Sequence, residues 1–268
     1  MTFDKLLSTC LDALLAAFSG LLVPALVFAL VSLFFKKRRA FAAFQQSLPS
    51  SITNLGLIAM NAFIVTPVVV VLANLLLTWQ VGAWAADVWD ALPAPFVLVV
   101  AVFLGDLIGY WRHRFEHSRI LWPSHAIHHS DEHMTWLTLQ RFHPINRLST
   151  YAIDTGFLLV LGVPPYALIF NNLFRHFYGY FVHADIPWTF GRWGRVFVSP
   201  AMHRWHHANH PDAYHTNFAT VFSVFDQCFG THRVPGVCDI PLGVSDCDLN
   251  ENIASQIAYP LRARSYHL

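Results

Sequence analysis

Two copies of one histidine pattern, His125-x-x-His128-His129 and His203-x-x-His206-His207, lie 78 positions apart, and any fold of this chain has to reconcile them. A third box, His113-x-x-x-His117, stands just ahead of the first copy. Residues three and four apart share one face of a helix, so each box projects its imidazoles in a single direction. Neutral imidazole is the commonest metal ligand among side chains. Eight of them exceed what one tetrahedral or octahedral ion takes, which points to a cage for two ions.

The rest of the chain reads as a membrane protein. Of its 268 residues 55% are hydrophobic and only 12% charged, about half the usual share of charge. Lys and Arg (17) nearly balance Asp and Glu (16), so no strong field recruits nucleic acid. The four cysteines form no Cys-x-x-Cys, which argues against a zinc ribbon or redox dithiol. Leu11 to Phe35 is long enough to span a bilayer. It ends in Lys36-Lys37-Arg38-Arg39 rather than a small-residue cleavage site, and so reads as an anchor. Ile52 to Trp79 is a second uncharged run, with a kink expected at Pro67, and Ala94 to Leu104 begins a third. The basic cluster places its end in the cytoplasm. Counting spans from there puts the histidine boxes on the cytoplasmic side.

The third span continues helically through Asp106, Tyr110, His113 and His117, spaced four, three and four apart along one stripe. Ser124 is the expected N-cap of a short helix carrying the second box, and Ser199 followed by Pro200 that of the third. The apolar stretch from Tyr151 to Tyr180 breaks at Gly162-Val163-Pro164-Pro165. A hairpin that dips in and returns leaves His203 on the same side as His125, where one tilted span would separate them. His183 ends the second arm of that hairpin and can face the cage. His176 lies two turns earlier, roughly 10 Å along a helix, and is poorly placed to reach the same ions. His133, His143, His210 and His215 read as groups around the ligands or at the surface, and His232 and His267 as bystanders. The expected architecture is all-α: a multi-pass membrane bundle with a cytosolic, histidine-rich di-metal cap. Its parts are N-terminal spans (1–105), a histidine-box domain (106–233) that includes a re-entrant hairpin near 149–182, and a cytosolic tail (234–268) with a short helix near Leu249 to Ala258.

These residues resemble the fatty acid hydroxylase superfamily, the membrane di-iron group that includes sterol desaturases and sphingolipid hydroxylases. The resemblance runs from Phe103 to Arg233. It rests on His113-Arg-Phe-Glu-His117, Leu121-Trp-Pro-Ser-His125-Ala-Ile-His128-His129-Ser130, Thr138-Leu-Gln-Arg141-Phe-His143-Pro144, His183-Ala-Asp and Ser199-Pro-Ala-Met-His203-Arg-Trp-His206-His207, and on a closing segment from Asn217-Phe218 to Phe229-Gly230-Thr231. One departure stands out: His215 and Ala219 occupy positions where family members often carry Asp and Gly.

The resemblance implies two non-haem iron ions held by His113, His117, His125, His128, His129, His183, His203, His206 and His207, with zinc an option in purified protein. It places Asp106, Tyr110, Arg141, His143, His215 and Asn217 around those ligands. Asp131, Glu132 and Asp185 are further carboxylates that can orient ligands. The implied activity is O2-dependent hydroxylation or desaturation of an unactivated C–H bond in a lipid, with electrons from a separate donor. Trp122, Trp136, Phe142, Phe177 and Tyr180 can line a route from the bilayer, or equally form an interfacial aromatic belt. A histidine-rich metal transporter or storage protein is the competing reading. Transport favours ionisable groups through the bilayer midplane, and the three early spans hold almost none. A haem-binding electron carrier is disfavoured because the boxes cluster outside the spans.

Overall fold

The computed structural model describes residues 2–245, 249 and 252–262; Cys247 and His267 lie outside that set. Among the described residues the chain is all helical, with a single isolated bridge between Ala208 and Leu242. The N-terminal apolar run forms two helices, α1 (Phe3–Gly20) and α2 (Leu22–Lys36), which meet at Leu21. Pro24 explains the break, because it has no N–H to donate to the Gly20 carbonyl one turn back. Lys37, at φ 50°, then turns the chain into α3 (Ala40–Thr78). Helix α3 carries Pro49 and Pro67 within it and starts well before the span expected from hydropathy.

Helices α1 and α2 lie antiparallel to α3. Ala29 and Ser32 sit across from Phe44 and Ser47, whereas Ala13 and Ala17 face Val65 and Val69 at the other end. One face of early α3 is polar and buried: Ser47, Ser50, Asn54 and Asn61 recur at helical spacing. The short α4 (Ala86–Asp90) leads into α5 (Ala94–Glu116), which runs as expected through the Asp106–His113 stripe and leaves His117 at its C-cap. The run Phe3–Leu76 and helix α5 are both apolar and long enough to cross a membrane.

Helix α6 (Trp122–His129) carries the second box. Its N-cap is Leu121 rather than Ser124, because Pro123 fits the first turn and starts the helix earlier. The Ser124 hydroxyl donates back to the Leu121 carbonyl at 2.8 Å. The hairpin follows. Its first arm is α7 (Pro144–Thr150), a π-turn at Tyr151–Thr155 and α8 (Gly156–Val160); its second is α9 (Pro165–His183). The tip reaches the connection between α3 and α5: Trp84 and Trp89 donate their indole N–H groups to the carbonyls of Val160 and Leu161, at 3.0 and 2.8 Å. The hairpin therefore runs the depth of α5 before returning. Short helices α10 (Pro200–His206) and α11 (Val224–Cys228) complete the cap, with Ser199 capping α10 as expected through Met202 N–H at 3.1 Å. Helix α12 (Ile253–Ala258) is no free tail: Gln256 is buried and donates to Ser130 Oγ, and Tyr259 is buried.

At the hairpin tip Gly162 has φ 68°, and a Cβ there would collide with the carbonyl oxygen of Gly82. Gly156 has helical backbone and open space around it. Gly162→Ala is expected to cost about 1–3 kcal/mol, whereas Gly156→Ala should stabilise by up to about 1 kcal/mol. Thermal midpoints in detergent read both, and equal midpoints would refute the tight approach of the two loops.

Candidate metal centre

The structure gathers nine histidines from four segments into two adjoining groups. His113, His117, His125, His129 and His206 form one; His128, His183, His203 and His207 form the other. Within each group the ring nitrogens lie within 4.8 Å of one another. The two groups touch where His129 stacks on His207, ring centroids 4.3 Å apart. His176 belongs to neither group and lies against Gln140 and Tyr180. His215 also stands outside, with its ring 6.0 Å from that of His117.

The tautomers of three rings follow from their partners. Nδ1–H of His113 donates to the Phe218 carbonyl, that of His206 to Thr216 and that of His183 to Gly179, each at 2.7 Å. A carbonyl only accepts, so in each ring Nδ1 carries the proton and Nε2 is left with a bare lone pair. Yet Nε2 of His113 lies 3.0 Å from Nε2 of His206, and Nε2 of His183 lies 3.0 Å from Nε2 of His203. In the His113–His206 pair both lone pairs are bare, and at that distance they repel unless a cation sits between them. Burial, reinforced by neighbouring rings, holds His125, His128, His129, His203 and His207 well below the usual histidine range, and His206 at about 4. A shared proton is therefore disfavoured near neutral pH. Buried ring nitrogens with no protein partner, such as His117 Nε2 and His207 Nε2, complete a donor set suited to metal ions.

The residues expected around the rings divide by what they touch. Asp106 accepts N–H bonds from Thr220, Val221 and Phe222 at 3.2, 3.0 and 2.7 Å, and so holds the loop whose carbonyls anchor His113 and His206. Tyr110 reaches that loop through Thr231, at 2.9 Å. Asn217, at φ 59°, donates to the carbonyls of Met202 and Arg233 and ties the loop to the third box. Buried Arg141 donates to the Ile127 carbonyl and to Ser130 and Asn54, bracing the end of α6. His143 instead caps α7 through Ile145 N–H and meets the Ile257 carbonyl, away from the rings. Asp131 accepts from Thr138, and Asp185 pairs with Lys36 and Arg204. Neither Asp131 nor Asp185 bonds a ring.

The carboxylate that does approach is Glu116, which the sequence reading passed over. Asp226, part of the closing motif but given no role there, accepts from the N–H groups of Phe218 and Ala219. Asp154 and Arg175, the two charges of the apolar stretch from Tyr151 to Tyr180, were given no role by the sequence; they pair across the two arms at 3.0 Å. A cavity of about 280 Å³ opens onto His117, His129 and His206, bordered by Trp122, Tyr214 and His215. Of the aromatic residues considered for a lipid route, only Trp122 lines it. Phe142 stacks on His128, Trp136 packs on Phe28 and Tyr180, and Phe177 is half exposed.

The family model described as fatty acid hydroxylase matches residues 98–231, half of the chain. An ornithine lipid hydroxylase, OlsE of Rhizobium tropici, is 28% identical over 173 residues, covering 64% of this chain and 52% of that protein. Alkylglycerol monooxygenases are also similar. The Caenorhabditis elegans protein is 28% identical over 63% of this chain and 32% of its own length. The Danio rerio protein is 31% identical over 48% and 29%. The chain thus spans about half the length, or less, of the curated relatives it matches. No solved structure matches.

The depressed basicity of the rings fixes a pH dependence for the metal-free protein. As pH falls through about 6.5, the unfolded chain takes up protons that the folded rings refuse, so stability present above that value is lost progressively toward pH 4. Chelator-treated protein should show a thermal midpoint that drops steadily between about pH 7 and pH 5. A flat profile would contradict the burial of neutral rings.

Proposed function

The chain belongs to the fatty acid hydroxylase family, and from that premise we propose that it is a membrane di-iron oxygenase that uses O2 to hydroxylate, or desaturate, an unactivated C–H bond of a lipid. The observation that carries this reading is the pair of buried ring groups, in the first of which the bare lone pairs of His113 and His206 face each other and call for a cation. Their nearest nitrogens are 3.0–3.2 Å apart. Imidazole suits iron, zinc and copper alike, and iron is proposed here from the family to which the chain belongs. Bound iron would supply O2 activation with electrons from a separate donor. The protein's own part is to fix the rings on backbone carbonyls, exclude water from most of them, and leave one cavity through which a substrate carbon can approach His117, His129 and His206.

A membrane setting is supported by the apolar exteriors of α1, α2, α3 and α5 and by the depth of the hairpin. On this reading α3, 39 residues and so about 58 Å long, crosses with its distal part while its early turns flank the cap. Lys36 Nζ lies 2.5 Å from Asp185, two residues beyond His183, so the basic turn and the rings share one end of the bundle. The positive-inside rule then places that end in the cytoplasm. Substrates are proposed to be lipids, as the names of the relatives suggest. A metal transporter is disfavoured, because the buried charges of α5 and the hairpin are paired with one another rather than aligned along a pore.

Cells expressing the chain should contain an oxygen-dependent hydroxylated or unsaturated lipid, and purified protein should carry two iron ions per chain. His128→Ala and His206→Ala are each expected to abolish the product and lower iron content. Wild-type turnover from either variant would overturn the ligand assignment.

A further inference from the structure

A chain of buried ions runs beneath the histidines and ends at one of them. Asp106 and Asp154 both approach Arg175, at 3.5 and 3.0 Å. Asp154 accepts from Arg112 Nε at 2.8 Å, and Arg112 reaches Glu116 one turn along α5 at 2.5 Å. The other oxygen of Glu116 accepts from the Ser149 hydroxyl, also at 2.5 Å. Glu116 is fully buried, and its Oε2 lies 3.5 Å from Nδ1 of His125. The other neighbour of that nitrogen is Asn146 Oδ1, at 3.4 Å.

Both neighbours accept hydrogen bonds, so Nδ1 of His125 carries the proton. Its Nε2 is then free and lies 3.1 Å from His113 Nε2 and 3.2 Å from His129 Nε2, inside the five-histidine group. His113, His183 and His206 lean on neutral backbone carbonyls. His125 is set apart by a carboxylate. The network holds three carboxylates against two guanidiniums, which leaves a formal excess of one negative charge beside a site whose nine rings contribute none.

We propose that Glu116 is a positioning residue for His125, and that its carboxylate fixes the ring's Nδ1–H and supplies countercharge to the ion held by the five-histidine group. Arg112 and Ser149 lock the carboxylate in place. A carboxylate behind a ligating imidazole raises the basicity of the ring and steadies its orientation. A nearby negative charge also favours the more oxidised metal ion. This inference rests on the metal-centre reading above and deepens it.

The test uses the full chain in detergent, titrated anaerobically with Fe(II) and separately with Co(II), with the midpoint potential of the iron-loaded protein measured alongside. Glu116→Gln keeps size and removes charge. It is expected to weaken binding of one of the two ions by about tenfold to hundredfold and to move the midpoint potential upward. Glu116→Asp should restore part of both. Ser149→Ala, which removes only the hydroxyl donor, should shift affinity in the same direction by a smaller factor, and it keeps the test open should Glu116→Gln fold poorly. A purely structural role would lower stability without moving the potential. Unchanged affinity and potential in folded Glu116→Gln, or in Ser149→Ala where Glu116→Gln does not fold, overturn the proposal. A wild-type chain that binds fewer than two ions overturns the metal-centre reading itself, and is thereby told apart.

Discussion

The structure depends on nine imidazoles being buried together with their lone pairs converging. Buried polar atoms without partners are unfavourable, and like dipoles aimed at one another are worse. Bound metal ions would turn that arrangement from a liability into a source of stability, because binding and folding would then share one free energy. Four segments spread over some hundred positions have to arrive together, and most of the architecture serves that arrival. The C-terminal end of α5 delivers the first box, α6 the second and α10 the third, while the hairpin carries His183 back to meet them.

Holding the rings is the task of one loop. His215 and Asn217 both adopt left-handed backbone, at φ 59°. Asn tolerates that region better than most residues. The consequence is that the carbonyls of Thr216 and Phe218 both reach ring nitrogens, one on His206 and the other on His113. The loop's own N–H groups are taken up by Asp226 and Asp106, so its backbone is satisfied from both sides. Anchoring a ligand on a carbonyl fixes its tautomer and its direction together. An acidic residue thereby orients a ring it never touches, as Asp106 does for His113.

The rings themselves were legible in the sequence because helical spacing alone puts each box on one face. Their partners were not. A backbone carbonyl leaves no mark in a residue pattern, and the carbonyls of Gly179, Thr216 and Phe218 are set by loop geometry. Hydropathy located the apolar runs but misjudged their limits. It has no term for Pro24 breaking the first run, or for a buried polar stripe such as Ser47, Ser50, Asn54 and Asn61 extending α3 past its apolar part. Ser124 misled because the flanking Pro123 decides where the helix starts. Glu116 was hidden by its place inside a histidine box, where a carboxylate reads as a spacer until its neighbours are known. His143 looked like a companion of the ligands by motif alone, yet its ring caps a helix and meets the chain's last described helix.

Charges in the apolar helices explain why the hairpin sits at its depth. Asp154 on the first arm and Arg175 on the second meet each other and also meet Arg112 and Asp106 on α5. Removing one partner of such a set would strand a buried charge, so the three helices are locked in register at this level. The second lock is at the tip, where Gly162 lies against Gly82 and the indoles of Trp84 and Trp89 grip the hairpin's end. Two fixed points along the hairpin leave α9 no freedom to slide, since a shift of one residue would move each side chain about 1.5 Å along the axis and 100° around it. His183 is the last residue of that helix, eight residues beyond Arg175. Its meeting with His128 and His203 is therefore set by an ionic contact more than two turns away along the same helix.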